Sequence, residues 1–246
     1  MTNRNHTIAV AALGRTPYRE CWDLQHALLD RRSAGGIDDT LLLTEHDPVY
    51  TLGRGGNPGH LLLPHDQLPA SGAEFVLTDR GGDITYHGPG QLVAYPILDL
   101  NNYGRDLHRY LRCLEEVVIR VLGRFDVHGS RVNGYTGVWV HDEKICAIGV
   151  RTSRWITMHG LALNVSTDLS FFDNIIPCGI SDKRVTSLNA ATGTNLSPDQ
   201  IISEFIEEFG EVFDAAMIGP RDSRAAAWKV PVADILTRSE VMDANG

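Results

Sequence analysis

The 246 residues predict an α+β fold of mostly antiparallel sheets with flanking helices. Three observations predict it. Strand-like and helix-like segments do not alternate regularly, which argues against a doubly wound parallel sheet. Residues 134–165 read as strands separated by short polar turns, an antiparallel meander. Two segments, 105–124 and 197–213, repeat apolar residues at helical spacing.

The elements follow in chain order. The apolar run within residues 1–14 reads as a strand; it is too short for a secretory signal, so a cytoplasmic location is expected. Thr16-Pro17 reads as a cap followed by proline at the first helical position. The helix it opens should run to about Arg31, with Cys21, Trp22, Leu24, Leu28 and Leu29 inward. Ser33 to Asp39 is a Gly-rich turn and Leu41 to Thr44 a short buried strand. Thr51 to Leu63 reads as a loop, because Gly53, Gly55, Gly56, Pro58 and Gly59 punctuate it. Strands at Glu74–Thr78 and Gln91–Leu98 flank a second Gly-rich loop. Leu107, Leu111, Leu114, Val118 and Val121 define the apolar stripe of the helix over 105–124. In the last helix Ser197, Pro198 and Gln200 form a capping box, and Ile201, Ile202, Phe205, Phe209, Val212 and Phe213 its apolar face. Residues 1–218 are expected to form one catalytic domain, and 219–246 an Ala- and charge-rich tail to which the sequence assigns no role.

Composition narrows the function. Apolar content of 43% and charged content of 22% are ordinary for a water-soluble chain, and no run is long enough to span a bilayer. A net charge of −9 argues against nucleic acid as a partner. The four cysteines, Cys21, Cys113, Cys146 and Cys178, show no CxxC spacing, so neither structural zinc nor a disulfide framework is indicated. No metal and no cofactor are expected.

Cys178 lies in Ile-Ile-Pro-Cys-Gly-Ile. Pro177 and Gly179 are poor neighbours for a regular helix or strand, so this thiol is presented rather than packed away. Cys146 lies in a strand pattern and competes as nucleophile, but free cysteine is most often a buried small hydrophobe. Lys144 is two residues from Cys146, at a hairpin end beside Asp142 and Glu143. Spacing leaves it open between an exposed turn lysine and a general acid/base that lowers the pKa of a nearby thiol. Arg80 to Gln91, with Gly81, Gly82, Gly88 and Gly90, suits a ligand-cradling loop. It matches neither the dinucleotide fingerprint nor the P-loop. Arg80 and His87 are candidates for holding an anion or a carbonyl; the alternative is a turn-rich hairpin with one structural histidine. His159 and His46 stay open in the same way, and no histidine group has metal spacing.

Taken together, several segments resemble the lipoyl(octanoyl) transferase family. They are Glu45-His-Asp-Pro-Val-Tyr-Thr51, Arg80-Gly-Gly-Asp-Ile-Thr-Tyr-His-Gly-Pro-Gly-Gln91, Lys144-Ile-Cys-Ala-Ile-Gly149, His159-Gly-Leu-Ala-Leu-Asn164 and Pro177-Cys-Gly-Ile180. They occur in the family's order, and the second is the most specific. The resemblance implies the catalytic-domain fold of biotin and lipoate protein ligases. It also implies transfer of octanoyl from octanoyl-acyl carrier protein to a lysine of a lipoyl domain, as in 2-oxoacid dehydrogenase complexes and the glycine cleavage H protein. The implied roles are the acyl thioester for Cys178 and pKa control with acid/base work for Lys144. The implied substrate pocket comprises Arg80, Gly81, Gly82, Asp83, Ile84, Thr85, Tyr86 and His87, then Ala147, Ile148 and Gly149, then Gly160, Leu161 and Ala162.

Three rivals share parts of this pattern: an ATP-dependent lipoate or biotin ligase, which needs no reactive cysteine; a non-catalytic acyl-binding protein; and a thioesterase. An acidic carrier protein further implies a local basic face. Arg105, Arg109 and Arg112, extended by Lys183 and Arg184, are the candidates for it.

Overall fold

The computed structural model describes residues 4–64, 66–176 and 184–219. Cys178 and Lys183 lie outside them. A seven-stranded mixed sheet forms the centre, in the order β10-β1-β2-β6-β9-β8-β7. Its strands are β1 (His6–Thr16), β2 (Asp39–His46), β6 (Gln91–Ile97), β7 (Val138–Val140), β8 (Glu143–Ser153), β9 (Ile156–Asn164) and β10 (Ala215–Ile218). β1 runs parallel to both β2 and β10, while the pairs from β2 to β7 are antiparallel. A second, three-stranded sheet holds β3 (Val49–Leu52) between β4 (Glu74–Leu77) and β5 (Ile84–His87).

The period of two along each central strand divides the core. Leu41 and Leu43, Leu92 and Ala94, Leu161 and Leu163 face helices α3 (Leu107–Gly123) and α5 (Ile202–Val212), while α2 (Leu68–Ser71) and α4 (Leu188–Thr192) are short. The intervening Leu42, Val93, Tyr95 and Ala162 face α1 (Tyr18–Ser33) with its Cys21, Leu24, Leu28 and Leu29. Leu114, Val117, Val118, Val121 and Leu122 of α3 are fully buried, each burial stabilising by about 1.5–3 kcal/mol. Leu107 and Leu111 continue the stripe but stay half-buried.

Several boundaries differ from the sequence reading. Thr16 does not cap α1; it ends β1, and its hydroxyl meets that of Thr44 at 2.9 Å. Pro17 takes the cap position without a side-chain hydrogen bond. α3 begins at Leu107, because Asp106 caps it by accepting the Arg109 N–H at 3.0 Å. Thr51 and Leu52 belong to β3, and the second Gly-rich segment contains β5, since residues 84–87 pair along β3. The Ser197–Gln200 box opens a 3₁₀ turn rather than α5 itself. β10 carries no periodic signal long enough to read.

β7 reaches only the first residues of β8, up to Cys146. Beyond that point the Gly81 N–H bonds the Val150 carbonyl at 2.9 Å. Ile148, between these two contacts, has an outer edge with no strand partner among the described residues.

Candidate active site

A cavity of about 600 Å³ lies over this edge of β8, a size ordinary for a small-molecule site. Its wall takes Arg80 to Thr85 and His87 from the Gly-rich block, Lys144 and Ala147 to Val150 from β8, and His159 to Ala162 with Asn164 from β9. Leu107 and Leu111 of α3 add an apolar side, so one helical stripe serves both core and cavity. The predicted pocket residues therefore converge, except that Tyr86 does not line the cavity. Successive strand residues point opposite ways, and Tyr86 stacks on Phe171 at 4.5 Å, beside Tyr50 and Phe172. Glycine is required where backbones close in. A Cβ on Gly149 would stand 2.9 Å from the Gly81 carbonyl, and one on Gly160 would collide with the Ala94 carbonyl.

Much of the block's polarity is spent on the protein. Arg80 is buried and donates to the Thr51 carbonyl at 2.6 Å, the Thr51 hydroxyl at 2.8 Å and the Gly81 carbonyl at 3.0 Å. Asp83 lines the cavity, but its carboxylate accepts from the backbone of Asn57 and Ile84 and pairs with His60 at 2.5 Å. The His60 carbonyl in turn accepts the Ile176 N–H at 2.8 Å. Chain entering residues 177–183 is thus tied to the Gly-rich block. Chain leaving them is tied to β8: the Lys144 N–H bonds the Arg184 carbonyl at 2.9 Å, and the Thr186 N–H bonds the Lys144 carbonyl at 3.0 Å.

The Lys144 ammonium lies over the Trp139 ring, 4.9 Å from its centre. Gly137 makes room for it, since a Cβ there would stand 3.2 Å from Lys144 Cε. The described thiols are poorly suited to nucleophilic work. Burial pushes Cys146 and Cys21 up to about 12, and for Cys146 it outweighs the nearby Lys144 charge. Burial also raises the half-buried Cys113.

The histidines around the cavity are held neutral. His46 is pushed down to about 4 by burial, although the Thr16 carbonyl accepts its Nδ1–H at 3.0 Å. His87 lies well below its ordinary value through burial, then the charges of His46 and Arg80. His159 is lowered by burial, partly offset by Asp79 at 2.6 Å. Burial pushes Asp79 up, but the His159 hydrogen bond and the Arg151 charge outweigh it, down to about 2. In the unfolded chain these histidines titrate near 6.5. The stability that the neutral burial of His46 confers is therefore complete above about pH 6.5 and lost as pH falls towards 4. His46 alone should remove about 2 kcal/mol between pH 6.5 and 5. Asp79 keeps its charge through that window and costs stability only below pH 3.8. A urea midpoint at pH 5 well below that at pH 7 is expected; equal midpoints would refute neutral burial.

Arg105, Arg109, Arg112 and Arg184 of the expected basic face are exposed, but only Arg109 and Arg112 lie on α3. Arg105 precedes α3, with φ 53°, and lies over the Trp155 ring at 5.2 Å. Arg112 pairs with buried Glu115 at 2.7 Å, a carboxylate shared with Arg131.

Residues 17–210 match the lipoyl protein ligase A/B catalytic domain family. The octanoyltransferase of Flavobacterium psychrophilum is 46% identical over 231 residues, covering 87% of this chain and 100% of that protein. That of Rubrobacter xylanophilus is 53% identical over 201 residues, covering 81% and 90%. Among solved structures, lipoate-protein ligase A bound with ATP superposes with a TM-score of 0.69 at 17% identity, covering 94% of this chain and 95% of that one, which shows a shared fold. The chain belongs to the lipoyl protein ligase A/B catalytic-domain family and, within it, to the octanoyltransferases, and so is an acyltransferase.

Proposed function

We propose that this enzyme moves an octanoyl group from octanoyl-acyl carrier protein to a lysine of lipoyl domains, in the cytoplasm, through a thioester on Cys178. The acceptors are lipoyl domains of 2-oxoacid dehydrogenase complexes and the glycine cleavage H protein. One observation supports this reading most: Lys144 lines the cavity, and its main chain pairs with Arg184 and Thr186, a few residues beyond Cys178. The Cys178 thiolate attacks the donor's thioester carbonyl, and the departing carrier thiolate takes a proton from Lys144. The acceptor amine then loses a proton to Lys144 and attacks the new thioester; an amide forms and the Cys178 thiolate leaves. The first half is an exchange between thioesters and the second runs downhill, so no ATP is consumed. Packing the octanoyl tail against Leu107, Leu111, Ile148 and Leu161 contributes about 5 kcal/mol at ~0.8 kcal/mol per methylene. Arg80 and His87 frame the cavity wall, and Gly81, Gly149 and Gly160 keep it narrow.

Intact-protein mass should rise by one octanoyl group after incubation with octanoyl-acyl carrier protein, and fall back on adding an unmodified lipoyl domain. Transfer that instead requires ATP and free octanoate would identify a ligase. Binding without an adduct would identify an acyl-binding protein, and loss of the group to water a thioesterase.

A further inference from the structure

A chain of buried hydrogen bonds crosses the site in one direction. Arg80 Nη2 donates to Thr51 Oγ1 at 2.8 Å, and the Thr51 hydroxyl donates to His87 Nε2 at 3.3 Å. His87 Nδ1–H donates to Gln91 Oε1 at 2.8 Å, and Gln91 Nε2 donates to Asn164 Oδ1 at 2.8 Å. Asn164 Nδ2 donates to the Thr186 carbonyl at 3.0 Å. The Thr186 carbonyl fixes the polarity, since a carbonyl only accepts and Asn164 must offer it the amide nitrogen. Every internal choice follows: His87 carries its proton on Nδ1, and neither amide can turn over without opposing two like groups. Thr51, His87, Gln91, Asn164 and Thr186 are all buried, so each hydrogen bond of the chain that is lost leaves a buried polar group short of its protein partner. The last bond holds the residue whose N–H grips the Lys144 carbonyl.

We infer that Asn164 is a positioning residue for the transfer reaction, fixing the main chain of Lys144 through Thr186 and taking its own orientation from Gln91 and His87. This rests on the thioester reading above, and it gives the most specific block of the sequence a second task beyond lining a pocket. Asn164→Asp keeps the shape but turns a carboxylate oxygen towards the Thr186 carbonyl. Asn164→Ala removes the bond without adding charge, should the aspartate variant fold poorly. Asn189→Ala is the control, because Asn189 ties Thr194 and Leu196 in the same manner away from the cavity.

The experiment measures kcat and KM with octanoyl-acyl carrier protein per folded molecule, and amide hydrogen exchange at Thr186 and Lys144. In either Asn164 variant, kcat should fall about tenfold or more with KM within about twofold, and both amides should exchange faster. The control should keep wild-type kcat even if it melts earlier. Faster exchange with unchanged kcat, or activity that tracks only the folded fraction, would overturn the inference. A wild-type protein that takes up no octanoyl group would overturn the thioester reading and this inference together, and would do so before any variant is compared.

Discussion

Cys178→Ala should abolish the octanoyl adduct and lower transfer by about 10³-fold or more, because the covalent route disappears with its nucleophile. Cys146→Ala should keep both adduct and transfer. The contrast follows from thiolate supply. A thiol near 12, as for Cys146 and Cys21, is ionised in about one molecule in 10⁵ at pH 7, whereas an ordinary exposed thiol reaches a few per cent. Peptide mapping of the acylated enzyme decides the matter; an adduct on Cys146 would remove Cys178 from the mechanism.

Lys144→Met is the second large effect. Methionine keeps an unbranched stem over Trp139, and the bonds to Arg184 and Thr186 use only main chain, so the fold should survive with a small change in Tm. In the proposed mechanism this ammonium supplies the proton in the first half-reaction and its amine takes one in the second. Transfer should fall about 10²–10⁴-fold. Iodoacetamide modification of Cys178 near neutral pH should slow, with its pH profile moved to higher pH. Transfer that is impaired with an unaltered profile would leave Lys144 as a proton carrier that does not tune the thiol; an unaltered rate would make it a turn lysine.

The helix over 107–123 is legible in sequence because its signal is long and periodic, Tyr110 to Leu122 repeating at three and four. The meander is legible because residues 143–164 hold two apolar runs about one short polar turn. β3 and β5 were hidden because four-residue strands framed by glycines look like loops until their pairing is known. β10 was hidden because its stability comes from a partner at the other end of the chain. At the site, the glycines of the 80–91 block read as a ligand-cradling loop, while spacing leaves Lys144 open between a turn lysine and an acid/base. Gln91 and Asn164 were not readable, since an amide in a strand takes its meaning from the groups facing it, and those lie 73 positions apart in sequence. Asp79 was likewise silent, although His159, Arg151, His26 and Trp22 converge on it. Leu107 and Leu111 look like core in sequence because periodicity marks a face without saying whether protein or ligand covers it, and here they line the cavity.

The pairing of β1 with β10 bears on how the protein is made. Arg4 and Ala215, bonded across that edge, stand 211 positions apart. During synthesis, β1 therefore waits with its outer row of amides and carbonyls uncovered until residues 215–218 have left the ribosome, and β1 carries the apolar Ile8 and Val10. Late, long-range closure of this kind slows folding. Chains cut short before residue 215 should expose a ready edge for pairing with one another, so premature termination in this protein would yield aggregates rather than a smaller working enzyme.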